Sequence, residues 1–407
     1  MKREYTGLAI AGVALITAAS ALATTAPETS GPAKDGSPAW HIVKPVAQPR
    51  PAPPAPGAPR PVNAAVASQV ASLRLPACGH STICGRKGGF PRNLVEKVEW
   101  DQNLGYTVSY PLTLPSNIGG APGAALDSKG NIWVIQRNPV GTPQLYKFGK
   151  DEKLKLTVGE DVIGHTLKSH ALAVDQDDNV WLSDADGSVV LEVSPEGKLL
   201  LTLGTRNTRG DWDESKGQHL LWQPASIAFG PNGDVYIGEG HANESPNDVD
   251  SDDPANNLGA ARVLHLDRTG KFINQWFGDE VGQGKFDQVH ALAVDPKNGD
   301  VWIGDREQYR FVVYTGDGQF LRTIQMRNLT CGLIFDPQGN PWMTSGMDGQ
   351  VLKIDRDGKV LGAIGGGSGT GDGQFNEANY FAMDKQGNIY VGDTGIARVT
   401  KFTAPKK

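Results

Sequence analysis

From residue 104 onward, apolar and polar positions alternate in short runs, each closed by a cluster of Asp, Asn and Gly. Alternation with a period of two marks half-buried strands, and the Asp/Asn/Gly clusters mark tight turns between them. One unit recurs six times, beginning "PGAALDSKGNIWVIQR" at Pro122, "HALAVDQDDNVWLSDA" at His170 and "ASIAFGPNGDVYIGEG" at Ala225. The others begin "HALAVDPKNGDVWIGDR" at His290, "CGLIFDPQGNPWMTSG" at Cys331 and "NYFAMDKQGNIYVGDT" at Asn379. Each copy carries Trp or Tyr at the centre of its second strand, and most continue into a third and fourth, as in "GSVVLEVSPEGKLLLTLG". Four short strands repeated every 40 to 65 residues or so predict the blades of an all-β, six-bladed propeller. The last copy stops after its third strand, "ARVTKFT". The extended stretch "LGYTVSYPLTL", Leu104 to Leu114, is expected to supply the missing strand and close the ring, since an open ring leaves unpaired strand edges.

The first 103 residues lack this pattern. Lys2 and Arg3 precede an apolar run from Leu8 to about Ala23 that closes on the small-residue triplet Ala21-Leu22-Ala23, so residues 1–23 read as a cleavable signal peptide, with an uncleaved membrane anchor as the alternative. Residues 24–77, with "KPVAQPRPAPPAPGAPRPV" among them, read as a Pro/Ala-rich disordered linker, because such a composition buries too little apolar surface to offset its ordering entropy. Residues 78–103 hold Cys78 and Cys84 in "ACGHSTICGRKGG", a local disulfide or a pair of free thiols, ahead of the propeller at 104–407. The expected location is secreted or periplasmic, with no stable membrane span after processing.

With 39 Lys and Arg against 45 Asp and Glu, the formal charge is −6, and no basic stripe offers a surface for nucleic acid. In a propeller the first strands line the central channel, so Pro122, His170, Ala225, His290, Cys331 and Asn379 meet around one axis. Imidazole and thiolate suit borderline divalent ions such as zinc, and His170, His290 and Asn379 come from alternate blades. These three, with Cys331 as a further ligand, form the expected metal set. Hydrogen-bonded channel residues around water are the alternative. At the end of the second strand, Arg137 and Arg306 occupy the same position in blades one and four. Such a pair suits a carboxylate-bearing or peptide-derived substrate, or salt bridges to Glu239, Asp305 or Asp393 on the same rim.

Over residues 105 to 407 or so, these repeats resemble NHL-type repeats, and their arrangement is similar to the catalytic domain of peptidyl-α-hydroxyglycine α-amidating lyase. The resemblance implies a catalytic zinc held by histidines of alternate blades, a tyrosine base, two substrate-binding arginines, and release of glyoxylate from peptidyl-α-hydroxyglycine. "SHALAVD" at His170 and "VHALAVD" at His290 match two zinc-ligand motifs, "GDREQYRF" at Arg306 matches one arginine motif, and "VIQRNP" at Arg137 matches the other more loosely. Asn379 stands where the family has its third histidine. Tyr380 follows it, where the family has an acidic residue associated with calcium, the second candidate cation. In place of the catalytic tyrosine, "IGEGHANES" offers His241 as a base, with Tyr309 as a more displaced substitute. The Asp-rich stretch from His241 to Asn257 reads as a solvated loop beside the site. Two further functions fit the same propeller: a non-catalytic module binding an envelope protein or glycan, and a lactonase-type hydrolase.

Overall fold

The computed structural model describes residues 104–115, 118–137, 143–241, 261–278, 285–326 and 329–406. The leader, the linker, the Cys78 and Cys84 pair and the acidic stretch from 242 to 257 lie outside them. Among the described residues, six four-stranded antiparallel sheets follow one another along the chain, the first five in simple meander order. Their first strands are Gly123–Leu126, Ser169–Val174, Ser226–Phe229, Val289–Val294, Thr330–Phe335 and Ala378–Met383. The sixth blade takes its outer strand from the start of the fold: Thr107–Ser109 pairs with Val399–Thr403 in the register Thr107 to Thr403 and Ser109 to Lys401. The ring therefore closes as the sequence predicts. No helix among the described residues is long and apolar enough to cross a membrane.

Each blade-to-blade interface has its own apolar cluster, so the core is a ring of six seams rather than one central mass. The second-strand aromatics Trp133, Trp181, Tyr236, Trp302, Trp342 and Tyr390 are all buried in these seams. The turn residues show why the repeat needs its Asp and Gly. Asp336 Oδ1 accepts from the amides of Gln338 (3.0 Å) and Asn340 (2.8 Å), while Gly339 adopts φ +74°, a left-handed conformation that costs glycine least. Asp384 and Gly387 repeat the arrangement in blade six.

On the opposite face a second set of aspartates fixes the segments that enter the first strands. Asp184 accepts from the amides of Leu167 (3.0 Å) and Lys168 (2.8 Å), and Asp305 from those of Asp287 (2.9 Å) and Gln288 (3.1 Å). Asp393 does the same for Asn376 (2.8 Å) and Glu377 (3.3 Å). Asp305 also holds Arg310 at 2.8 Å, with both side chains almost wholly buried. Removing one partner of such a pair strands the other charge. Asp305→Ala is therefore expected to cost about 3–5 kcal/mol in urea denaturation, and a loss below about 1 kcal/mol would show that the pair does not fix this entry segment.

Candidate metal centre

The bulge that follows the first residue of these first strands sets the direction of the site. Ser169, Val289 and Ala378 pair with Asp184, Asp305 and Asp393. The register then shifts, so that His170, His290 and Asn379 occupy one equivalent position in blades two, four and six. His170 and His290 are buried, with ring centroids 4.6 Å apart. The third imidazole comes from elsewhere. His241, two residues past Glu239 at the end of the second strand of blade three, stands 4.3 Å from His170 and 5.4 Å from His290, centroid to centroid. One ligand atom from each of the three histidines lies within 4.8 Å of the other two.

The hydrogen bonds fix which nitrogens face inward. His170 Nδ1 lies 2.8 Å from the carbonyl oxygen of Ala225, and His290 Nδ1 lies 2.8 Å from that of Cys331. Each Nδ1 therefore carries the proton and donates it, leaving the Nε2 lone pair available, the arrangement that metal-ligating histidines use. His170 Nε2 is buried and has no hydrogen-bond partner among the described residues. Such an orphaned acceptor is costly unless something ligates it. Burial pushes the His170 imidazolium well below its ordinary range, helped by His241, His290, Arg137 and Lys168. Burial, and then Arg306, do the same to His290. Three imidazoles, two of them held neutral in this way, fit a borderline divalent ion such as zinc. They do not fit calcium, which takes oxygen ligands. At the position of the expected acidic residue, Tyr380 instead donates its hydroxyl toward the carbonyl oxygens of Ala225 and His290, and burial raises its pKa well above the usual phenol value.

The remaining sequence candidates are distributed as follows. Asn379 is buried, and its Oδ1 has no hydrogen-bond partner among the described residues. Cys331 is buried and stands outside the histidine group, and its carbonyl oxygen accepts from His290. His241, expected as a base, stands beside His170 and His290. Arg137 Nε donates to the carbonyl of Ser169 at 3.1 Å. Arg306 donates to Gln288 Oε1 at 3.0 Å and to Glu377 Oε1 at 3.1 Å. The acids expected to pair with these arginines are committed elsewhere: Glu239 to Arg262, Asp305 to Arg310, and Asp393 chiefly to loop amides. Tyr309 is a core residue capping the short turn Arg306–Gln308. Lys168, which the motifs did not single out, has its Nζ 3.5 Å from His241 Nδ1 and is 6% exposed. Its signal was present in the repeat, since "KSH", "QVH" and "EAN" align.

Depressed histidine pKa values link stability to pH. Below pH 6.5, the ordinary value, the unfolded chain takes up protons that folded His170 and His290 refuse, so stability is full above that pH and falls as pH drops. Without added metal, lowering the pH from 7.5 to 5.5 is expected to cost about 1 kcal/mol for each of the two histidines. Urea midpoints of wild type and His170→Gln/His290→Gln check this; an equal fall in both would mean that other groups carry the pH dependence.

No protein-family model matches the chain. The peptidylglycine alpha-amidating monooxygenase of Rattus norvegicus is 24% identical over 327 residues, covering 71% of this chain and 31% of that protein. The chain thus spans less than a third of that relative. Peptidyl-alpha-hydroxyglycine alpha-amidating lyase 1 of Drosophila melanogaster is 30% identical over 254 residues, 54% of this chain and 43% of that protein. NHL repeat-containing protein 3 of Homo sapiens is 24% identical, over 79% of this chain and 91% of that protein. Among solved structures, a gluconolactonase from Xanthomonas campestris superposes with a TM-score of 0.53 at 14% identity, over 74% of this chain and 90% of that one. A streptogramin B lyase does so with 0.51 at 12%, over 74% and 98%. At these identities the solved structures share the fold alone. The chain is a six-bladed NHL-type β-propeller that resembles peptidyl-α-hydroxyglycine α-amidating lyase.

Proposed function

We propose that the protein is an exported, metal-dependent lyase acting on a carbinolamide such as peptidyl-α-hydroxyglycine. The observation that carries this reading is the buried trio of His170, His241 and His290, two of them with Nδ1 fixed on carbonyls, flanked by cationic side chains. In this reading the three imidazoles hold a divalent ion, zinc by the chemistry of the donors, and the ion when bound supplies Lewis-acid polarisation of the substrate hydroxyl. His241 is then a ligand rather than the base. Arg137 meets the carboxylate. In the overall reaction the carbon–nitrogen bond breaks, a carbonyl forms at the former carbinol carbon, and the hydroxyl hydrogen ends on the amide nitrogen. The products are a peptide amide and glyoxylate, with no other reactant consumed.

Product analysis tests the reaction class. With zinc supplied, a hydroxyglycine peptide should yield peptide amide and glyoxylate in equal amounts, whereas a hydrolase cutting the acyl bond yields the peptide acid. Arg137→Ala should lower kcat/KM by roughly 30- to 10³-fold, the scale for one buried charge-assisted contact to the reacting molecule. A variant as active as wild type would remove Arg137 from the reading.

One observation favours the second reading, a propeller that binds an envelope partner without catalysis: Arg306 is engaged by Gln288 and Glu377 and so is drawn away from any substrate. The lactonase alternative gains nothing beyond shared fold.

A further inference from the structure

The structure assigns Tyr380 as a positioning residue for the proposed metal centre: from blade six, its hydroxyl ties the backbone that orients His170 to the backbone that carries His290. The inference rests on the metal-binding part of the lyase reading and goes beyond it, by naming what holds two ligands of non-adjacent blades in place. Tyr380 lies in the first strand of blade six, directly after Asn379. Its amide donates to the carbonyl of Pro122, at the entry to blade one, at 3.0 Å. Its hydroxyl donates toward the carbonyl of Ala225, at the entry to blade three, and toward that of His290 in blade four. One residue thus joins blades one, three, four and six.

The carbonyl of Ala225 is also the one that accepts from His170 Nδ1, at 2.8 Å. Two donors therefore share one oxygen, and a carbonyl has two lone pairs to receive them. Any shift of that carbonyl turns the His170 imidazole with it. His290 is held in a second way. The Tyr380 ring lies parallel to the His290 imidazole, with centroids 5.9 Å apart at 5°, and stands edge-on to that of His170, 5.4 Å away at 80°. Burial raises the phenol pKa well above its usual value, so the hydroxyl keeps its proton, and the two carbonyls can only accept it. Blade three separates the blades that carry His170 and His290, so the spacing of the two imidazoles depends on how its entry segment sits against blade four. The shared phenol proton fixes that relation. Ligating histidines rely on such outer partners to direct their lone pairs, and losing one typically costs about 10- to 100-fold in metal affinity.

The test is zinc affinity, measured by competition with a chromophoric chelator, beside the urea midpoint of the metal-free protein. Tyr380→Phe keeps the ring contacts, loses the hydroxyl, and should weaken zinc by about 10- to 100-fold. Tyr390→Phe is the control. It removes a hydroxyl that bonds Glu152 at 3.3 Å in the seam between blades six and one, and should leave zinc affinity unchanged. Cobalt(II) in place of zinc reports ligand geometry directly: its visible absorption should differ from wild type in Tyr380→Phe and coincide with it in Tyr390→Phe. A merely structural hydroxyl would lower the urea midpoint and move neither readout. Tyr380→Met, flexible and of similar reach, serves with the same expected loss if the phenylalanine variant does not fold. Unchanged zinc affinity in the Tyr380 variant, a cobalt spectrum identical to wild type, an equal loss in Tyr390→Phe, or a wild type that binds no zinc would each overturn the inference. Glyoxylate release separates it from the lyase reading. Zinc weakened by Tyr380→Phe in a protein that releases none would refute the reaction and uphold this role, and an active enzyme whose zinc affinity ignores Tyr380 would do the reverse.

Discussion

Replacing His170 and His290 together with alanine is expected to abolish tight binding of zinc and, with it, turnover. Each imidazole supplies an inward Nε2 whose partner nitrogen is held by a carbonyl, so no neighbouring side chain replaces it when it is cut away. Loss of even an outer-shell partner costs roughly 10- to 100-fold in metal affinity, and loss of two ligands should exceed that range. His241→Ala alone should weaken zinc by about 10²-fold if His241 is the third ligand. Affinity unchanged with turnover lost would instead make His241 a base. Asn379→His, in the His241→Ala background, brings an imidazole to the register position shared by His170 and His290, and should recover affinity. Competitive titration with a chromophoric chelator measures all four proteins. Wild-type affinity in the double variant would place the metal elsewhere.

The other large effect concerns the ring. A chain beginning at Pro115 loses the strand Thr107–Ser109 and leaves the third strand of blade six as an open edge. It also loses Leu112 from the seam between blades six and one, and Leu104 and Tyr106 from the seam between blades five and six. Burial of three such side chains contributes on the order of 4–6 kcal/mol, comparable with the whole stability of many domains. Thermal unfolding should become broad and occur well below that of a chain beginning at Gly88, which keeps the strand. Equal, cooperative melting of both would show that closure through this strand does not stabilise the propeller.

What the sequence disclosed follows from how each feature is encoded. Blades were legible because every one repeats the same alternation and the same Asp/Gly turn, and closure followed from the single missing strand. His170 and His290 were legible because they share a register within matching strands. His241 was visible as a residue beside the site but not as a neighbour of His170, 71 residues away, because its approach comes from the end of a second strand in blade three. Arg306 and Glu377 are likewise 71 residues apart, and their bond depends on how blades four and six meet at the axis. Rim acids such as Asp305 and Asp393 looked like partners for the arginines. Buried at the ends of second strands, they are instead occupied by the amides of their own entry loops, and Asp305 also by Arg310. Local periodicity encodes the blades, whereas contacts across the channel depend on side-chain reach that no repeat displays.

The central claim is that this histidine trio makes the protein a metal-dependent lyase. Its most direct test is glyoxylate release from a peptidyl-α-hydroxyglycine by metal-stripped protein titrated with zinc. The account predicts no release from the stripped protein, a rise that saturates near one zinc per chain, and no rise in His170→Ala/His290→Ala at the same zinc concentrations. Release that is unaffected by stripping, or no release from wild type at saturating zinc, would contradict it.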